Sequence, residues 1–306
     1  MKKIIFYTTT FILLIMSNKG CCQSQMTMTT ETNFRKFEDK TIFDDDTLNG
    51  KIKTIIQNTY GEYYSGEDVI YTFDEYGLQV RRQGIGQDIF NYYEGNKVIK
   101  SSICLADNGK EYRKNEYLYD ERENLIKHIH IFLPDSDSTI TQYFYNNENK
   151  LIEQRENRET TKYQYDENGD CVIEKKYHGN FLNGEIENEY INHRLAKTLS
   201  WRWFEGFRFY TKETYNYNED GTLKSITYYA YNYDTKAFSE EENGTTFYYY
   251  TYDNENRLVK FQEINKNNYK KTITYSNFDE KGNWQLKNTN DYGRKSKIKR
   301  KFDYFD

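Results

Sequence analysis

The chain has 306 residues, and its 48 acidic and 43 basic side chains give a formal net charge of −5. An acidic chain lacks the broad basic surface that affinity for phosphate requires, so the composition argues against a nucleic-acid partner. The chain contains 32 tyrosines but one proline, and aromatic residues make up 18% of it. Disordered chains are poor in aromatic residues, so the low mean hydropathy does not indicate disorder here.

Residues 1–20 have the features of a secretory signal. Lys2 and Lys3 precede an apolar run from Ile4 to Met16, and no Asp or Glu occurs among residues 1–20. This order of a basic start and a short apolar core is typical of exported proteins. The run is shorter than the about 20 apolar residues that a membrane-spanning helix needs. An uncleaved anchor helix is the alternative interpretation.

Cys21 follows Gly20 at the end of this segment. The arrangement resembles a bacterial lipobox of the looser kind found in Bacteroidota-type lipoproteins, because Asn18 and Lys19 stand where small or apolar residues are usual. The resemblance implies cleavage before Cys21 and acylation of its thiol. Acyl chains would anchor the protein in the cell envelope, and we expect the outer membrane. Whether the protein faces the periplasm or the cell surface is left open.

The predicted mature chain begins with a polar, Thr-rich stretch. Residues 21–40 are interpreted as the lipidated cysteine and a flexible tether, followed by a single domain over residues 41–306. Without residues 1–20 the chain keeps 40 basic and 48 acidic residues, a net charge of −8.

An internal repeat organises this domain. Each copy has the pattern aromatic, any residue, aromatic, then Asp or Asn, then Gly or Asn, and then Leu, Val or Ile. The second aromatic residues follow one another at steps of 20 to 27 residues, except for one step of 35 that contains an insertion. They fall at Phe73, Tyr93, Tyr119, Tyr145, Tyr165, Tyr190, Tyr217, Tyr252, Phe278 and Tyr304.

The chemistry of one repeat predicts two strands and two turns. Two aromatic residues separated by one position lie on the same face of a strand. The Asp or Asn side chain then accepts hydrogen bonds from backbone amides two residues on and opens a turn. A second turn, such as the one at residues 134–137, leads to the next copy. The domain is therefore predicted to be all-β, an antiparallel meander of roughly 20 strands that curls into a spiral, a barrel-like shell or two packed layers.

The unit Tyr-x-Tyr-Asp-x-x-Gly-x-Leu resembles the YD repeat of the Rhs family. The similarity covers about residues 70–290. It implies a spiralling β shell and a leaning toward surface or glycan roles. The usual Gly-Arg-Leu is replaced here, for instance by Gly-Thr-Leu at 221–223, and Pro134 is the only proline. A toxin-delivery role is therefore not inferred from the resemblance.

The aromatic excess supplies the candidate ligand-binding residues. Rings that recur at every second position form ladders on one face of a strand, and an exposed ladder suits sugar rings or a partner protein. The alternative is cross-strand packing between tyrosines. The predicted binding residues are Trp201, Trp203, Tyr229, Tyr231, Tyr248 and Tyr250.

Other chemistry is weakly indicated. His128 and His130 share a strand face but have no further ligands nearby in sequence, and the Asp166 turn resembles only part of a calcium loop, so no metal or other cofactor is predicted. Cys104 and Cys171 could pair in an oxidising compartment, and this stays open. The basic stretch at 294–301 alternates charged with other residues and is interpreted as a solvated strand face rather than a nucleic-acid site.

No motif of a nucleophilic hydrolase, a zinc protease or a phosphate-binding loop is found, and no catalytic residue is predicted. We therefore expect a non-enzymatic envelope lipoprotein whose repetitive β surface binds a glycan or an envelope protein. The alternatives are a purely structural or assembly protein and, less favoured, a glycan-acting hydrolase.

Overall fold

The structure is a computed structural model and describes residues 48–61, 64–84 and 86–305. Within these ranges the regular elements are all β-strands, so the predicted all-β class is confirmed. The predicted signal and lipidation segments lie outside the described residues. The strands are β1 (Ile52–Gly61), β2 (Tyr64–Phe73), β3 (Gln79–Gly84), β4 (Gln87–Glu94), β5 (Lys97–Leu105), β6 (Glu111–Tyr119), β7 (Leu125–Phe132), β8 (Asp137–Tyr145), β9 (Leu151–Glu156), β10 (Glu159–Tyr165), β11 (Cys171–His178), β12 (Phe181–Ile191), β13 (Arg194–Phe204), β14 (Phe207–Tyr217), β15 (Leu223–Asn232), β16 (Ala237–Tyr252), β17 (Leu258–Asn265), β18 (Lys270–Phe278), β19 (Trp284–Asp291) and β20 (Arg294–Tyr304).

The twenty strands form one antiparallel sheet that closes on itself. Each strand pairs with the strands before and after it, and β20 pairs with β1. The predicted antiparallel meander is present, and its sheet is closed. The spiral or shell of YD-like repeats stays a prediction. Closure is favourable because β1 and β20 would otherwise expose a row of unpaired backbone groups.

In most copies the Asp or Asn of the repeat builds a turn at the same end of the sheet. In the turn that joins β10 to β11, Asp166 Oδ1 accepts hydrogen bonds from the amides of Asn168 (3.0 Å) and Asp170 (2.8 Å). The amide of Gly169 bonds to the Asp166 carbonyl, and Gly169 has a φ of 88°. Glycine reaches this left-handed conformation without steric cost. The predicted turn chemistry is confirmed, and the bond to the amide four residues on is an addition to it.

The second tyrosine of the repeat links each copy to the one before it. Its hydroxyl donates a hydrogen bond to a backbone carbonyl of the preceding copy. The acceptor is the first or second residue of the strand that follows the first turn of that copy. Five such bonds are Tyr93 to Gln79 (2.7 Å), Tyr119 to Val98 (3.0 Å), Tyr145 to Leu125 (3.0 Å), Tyr165 to Leu151 (2.7 Å) and Tyr217 to Leu195 (3.0 Å). The copies are therefore joined by side chains as well as by the backbone ladder.

Apolar packing is local and lies on one face of the sheet, here called the core face. It carries three buried clusters, each built from consecutive or paired strands, and element contacts are mainly between hydrogen-bonded neighbours. The cluster nearest the middle of the chain centres on Tyr143, Leu151, Tyr163 and Cys171. The side chains of the other, opposite face alternate with these along each strand.

At the seam between the first and last strands, polar side-chain contacts add to the backbone pairing and to the packing of Phe302 and Tyr304 on the first buried cluster. Buried Arg300 donates from Nε to Gln57 Oε1 (2.9 Å), and its guanidinium carbon lies 3.8 Å from the ring centre of Trp284. Asn283 Oδ1 accepts from the Asn49 amide at 2.8 Å. These side chains connect residues more than 230 positions apart in sequence.

Candidate functional site

The predicted binding aromatics are divided between the two faces of the sheet. Glu213, Tyr215 and Tyr228 lie on the core face. Side chains alternate along a strand, and paired residues of β13, β14 and β15 share a face, so the residues that alternate with these three lie on the opposite face. Trp201, Trp203, Tyr229 and Tyr231 all lie on that opposite face. Tyr248 and Tyr250 lie on the core face.

Tyr248 and Tyr250 belong to the packing of the core face. Tyr248 is 8% exposed and packs with Tyr215 and Ile226. The ring centre of Phe261 lies 6.1 Å from that of Tyr248 and 5.4 Å from that of Tyr250. Burial raises the pKa of the Tyr248 hydroxyl well above its ordinary value, with the neighbouring Tyr228 and Glu263 as further causes. This placement fits the packing alternative rather than ligand contact.

The four aromatic residues of the opposite face extend into a continuous surface. We call it the aromatic strip and define it as Trp201, Trp203, Arg208, Tyr210, Tyr229 and Tyr231. Trp201 is paired with Tyr210 across β13 and β14. Tyr210 stacks on Tyr231 with a ring-centre distance of 4.2 Å and an interplanar angle of 22°. Such offset stacking fixes the orientation of both rings.

Two cations are interleaved with the rings of the strip. The guanidinium carbon of Arg208 lies 4.6 Å from the ring centre of Trp201 and 5.2 Å from that of Trp203. Lys212 Nζ lies 4.1 Å from the ring centre of Tyr229. Arg208 is exposed, whereas both tryptophans are half-buried. The cation–π contacts hold the rings in place and leave a charged hydrogen-bond donor at the surface.

Trp203 has an unused hydrogen-bond donor. Its Nε1 atom is buried and has no partner within the described structure. The ring centre of exposed Phe181 lies 5.9 Å from that of Trp203. A buried indole N–H without an acceptor is costly to the folded state.

The sequence analysis missed Arg208 and Tyr210. The tight turn at Gly206 places Trp203 opposite Arg208 and Trp201 opposite Tyr210. Counting outward in both directions from the two-residue turn Glu205–Gly206 would have shown the pairing, because residues equidistant from a tight hairpin turn lie on the same face.

The same hairpin exposes apolar rings on the core face. Phe204, Phe207 and Phe209 are paired with neighbours near the turn and are 40%, 69% and 43% exposed. The ring centres of Phe204 and Phe209 lie 6.1 Å apart. The β13–β14 hairpin therefore presents aromatic rings on both faces.

His128 and His130 share a face, as predicted. Both rings contact the side-chain oxygen of Asn115, His128 Nε2 at 3.1 Å and His130 Nδ1 at 2.8 Å. The His128 ring also stacks on Tyr117 at 4.7 Å, and burial lowers its pKa. Among the described residues no group of three His, Cys, Asp or Glu could hold a metal ion.

The cysteines in the described part of the chain are both free thiols. Cys104 lies on β5 and Cys171 is buried on β11. No helix in the described ranges is long and apolar enough to cross a membrane.

No protein-family model matches the chain, and no curated protein matches it. A comparison with solved structures matches the Photorhabdus luminescens Tc holotoxin pore at 13% identity and a TM-score of 0.36. The match covers 75% of this chain and 14% of that chain. A TcdB2–TccC3 structure matches at 12% identity and a TM-score of 0.35, over 73% of this chain and 15% of that chain.

A porin-like protein from Bacteroides uniformis matches at 11% identity and a TM-score of 0.36, covering 84% of this chain and 99% of that chain. None of these similarities is strong enough to assign a family or a function.

Proposed function

We propose that the protein is a non-enzymatic, lipid-anchored envelope protein whose aromatic strip binds a glycan. The observation that carries the proposal is the strip itself, in which stacked rings and an exposed guanidinium occur on one face of β13–β15. Sugars offer apolar ring faces and many hydroxyl oxygens, so a site for them combines aromatic surface with hydrogen-bond donors.

The geometry supports recognition by both kinds of contact. The rings of Trp201 and Trp203 are half-buried and offer apolar surface, and the exposed Arg208 guanidinium offers several N–H donors. The rings are held by Arg208 and by the Tyr210–Tyr231 stack before any ligand arrives. A site that is already ordered loses little conformational entropy on binding.

The envelope part of the proposal rests on Cys21. Intact mass of the protein from a Gram-negative host, compared with Cys21→Ala, tests it. A mass that corresponds to cleavage before Cys21 plus acyl chains, lost in the variant, supports the anchor. A cleaved product without acyl chains would contradict the lipid anchor.

We also propose that the repeat is related to the YD repeats of the Rhs family. The recurring Asp turn and the tyrosine hydroxyl bond between copies support this relation.

The alternative is a structural or assembly protein. The exposed rings at Phe204, Phe207 and Phe209 favour it, because an apolar surface of this kind suits a protein partner. In that case the strip would serve only to stiffen the hairpin. A glycan-acting hydrolase is the least favoured hypothesis. Absence of hydrolysis on a broad panel of glycans would exclude it.

The test is a glycan array with the variants Trp201→Ala and Trp203→Ala. We expect both to lose the binding seen for the unsubstituted protein while the melting temperature changes little. The matched control is Tyr249→Ala, which removes a 50% exposed ring on the opposite face of β16, outside the strip. A stability loss of about 3–5 kcal/mol, the usual cost of removing a core tryptophan, would instead assign the strip to packing.

A further inference from the structure

The last strand carries a stripe of four lysines. Lys295, Lys297, Lys299 and Lys301 alternate along β20 with residues of the core face, among them Arg300. Alternation places all four lysines on the opposite face, at intervals of about 7 Å along the strand. The stripe is therefore a row of like charges about 20 Å long.

This row differs from three lysines elsewhere on the opposite face that have acidic partners. Lys175 lies 3.6 Å from Glu185, Lys197 lies 3.0 Å from Glu189, and Lys162 lies 3.9 Å from Glu153. None of the four β20 lysines has an ion pair among residues 48–61, 64–84 and 86–305. Their cross-strand partners are the uncharged residues Ile56, Asn58, Tyr60, Leu286, Asn288 and Asn290. Like charges left without internal partners are unfavourable unless a partner outside the chain neutralises them.

A groove runs beside the stripe. It has a volume of about 460 Å³ and is lined by Lys295 and Lys297 together with hydroxyl and amide side chains. Those polar side chains are Thr272 and Thr274 of β18 and Asn288 and Asn290 of β19, which the register places on the same face as the lysines. Tyr60 closes one side, and Lys299 Nζ lies 5.6 Å from the centre of its ring.

We propose that this groove binds an anionic polysaccharide. Carboxylate or sulfate groups of the polymer contact the lysines, and its hydroxyls exchange hydrogen bonds with the threonine and asparagine side chains. Lysine suits this role because its ammonium is a point charge that accepts anions from many directions. The site lies on β18–β20 and β1, so it does not depend on the aromatic strip of β13–β15.

A nucleic acid fits this groove less well. Proteins that bind single strands stack successive bases on several aromatic side chains, whereas Tyr60 is the one aromatic residue that lines the groove in the described part of the chain.

The experiment measures the affinity of the purified protein for polygalacturonate oligomers at several salt concentrations. The variant is Lys295→Gln with Lys297→Gln, and both side chains can be changed without disturbing a described contact. We expect binding that weakens as salt rises and that falls about tenfold in the variant. Uncharged dextran of matched length should not bind.

The matched control is Lys224→Gln with Lys236→Gln, which removes two exposed lysines elsewhere and changes the net charge equally. We expect it to bind as the unsubstituted protein does. Equal losses in the two double variants would overturn the proposal, since they would reflect net charge alone. Absence of polygalacturonate binding at low salt would overturn it too. So would tighter binding of single-stranded DNA or of phosphatidylglycerol vesicles at the same lysines.

Discussion

At the scale of single residues, the tyrosine hydroxyls add a hydrogen bond in five copies that phenylalanine, which buries as much surface, could not make. The second tyrosine of a copy donates to a backbone carbonyl of the copy before it. Burial raises the pKa of the Tyr217 hydroxyl, so it remains a neutral donor well into the alkaline range.

We predict that Tyr217→Phe destabilises the protein by about 1 kcal/mol, the usual worth of one such hydrogen bond. The reason is the loss of the 3.0 Å bond from the Tyr217 hydroxyl to the Leu195 carbonyl. Urea unfolding followed by tryptophan fluorescence measures the change. Tyr252→Phe is the matched control, because Tyr252 holds the equivalent place in the next copy, is 41% exposed and makes no such bond to another residue that the structure describes. Equal losses in both variants would show that the hydroxyl bond contributes nothing.

The aromatic residues show how far residue-level prediction reaches. Alternation correctly grouped Tyr229 with Tyr231 and Tyr248 with Tyr250, because side chains alternate along any strand. It could not say which group would be buried. That depends on the neighbouring strands, since Tyr248 is buried by Tyr215 and Ile226, which come from β14 and β15.

At the scale of elements, the Asp turn is the unit that sets each hairpin. One carboxylate oxygen binds two backbone amides and so satisfies donors that a bare turn would leave to water. Asn146 makes the same two bonds in its own copy, at 2.9 Å each. The acceptor oxygen matters, and the negative charge does not.

This equivalence predicts different outcomes for two changes at one position. Asp166→Ala removes both bonds and should cost about 1–2 kcal/mol, as the loss of a capping side chain does. Asp166→Asn keeps the acceptor and should cost well under half of that. Chemical denaturation of the two variants measures the difference. If Asn proved as harmful as Ala, the carboxylate charge rather than the acceptor would be the important feature.

At the scale of the whole molecule, a few polar side chains reinforce the seam where the sheet closes by pairing β1 with β20. Asn283 is 3% exposed and accepts from the Asn49 amide, and its Nδ2 donates to the Asn49 carbonyl (2.8 Å) and to the Tyr304 hydroxyl (2.7 Å). The Tyr304 hydroxyl in turn donates to Asp279. One side chain thus connects both ends of the described chain to a turn.

We predict that Asn283→Ala lowers stability by about 2–4 kcal/mol, because it leaves buried polar groups without partners. The loss should be local to the seam. Hydrogen exchange should therefore accelerate in β1 and β20 and change little in β10 and β11. Asn267→Ala is the control, since that side chain is exposed in a turn. Uniform acceleration over all strands would contradict a seam that opens independently.

The sequence by itself determined the strands, the turns and their repetition. Each of these depends on groups within about four residues of one another, such as the bonds from Asp166 to Asn168 and Asp170. The tertiary structure alone decided that the sheet closes, and which aromatic face is buried. Closure pairs residues such as Gln57 and Arg300, 243 positions apart, and no local pattern encodes which distant strand a given edge will meet.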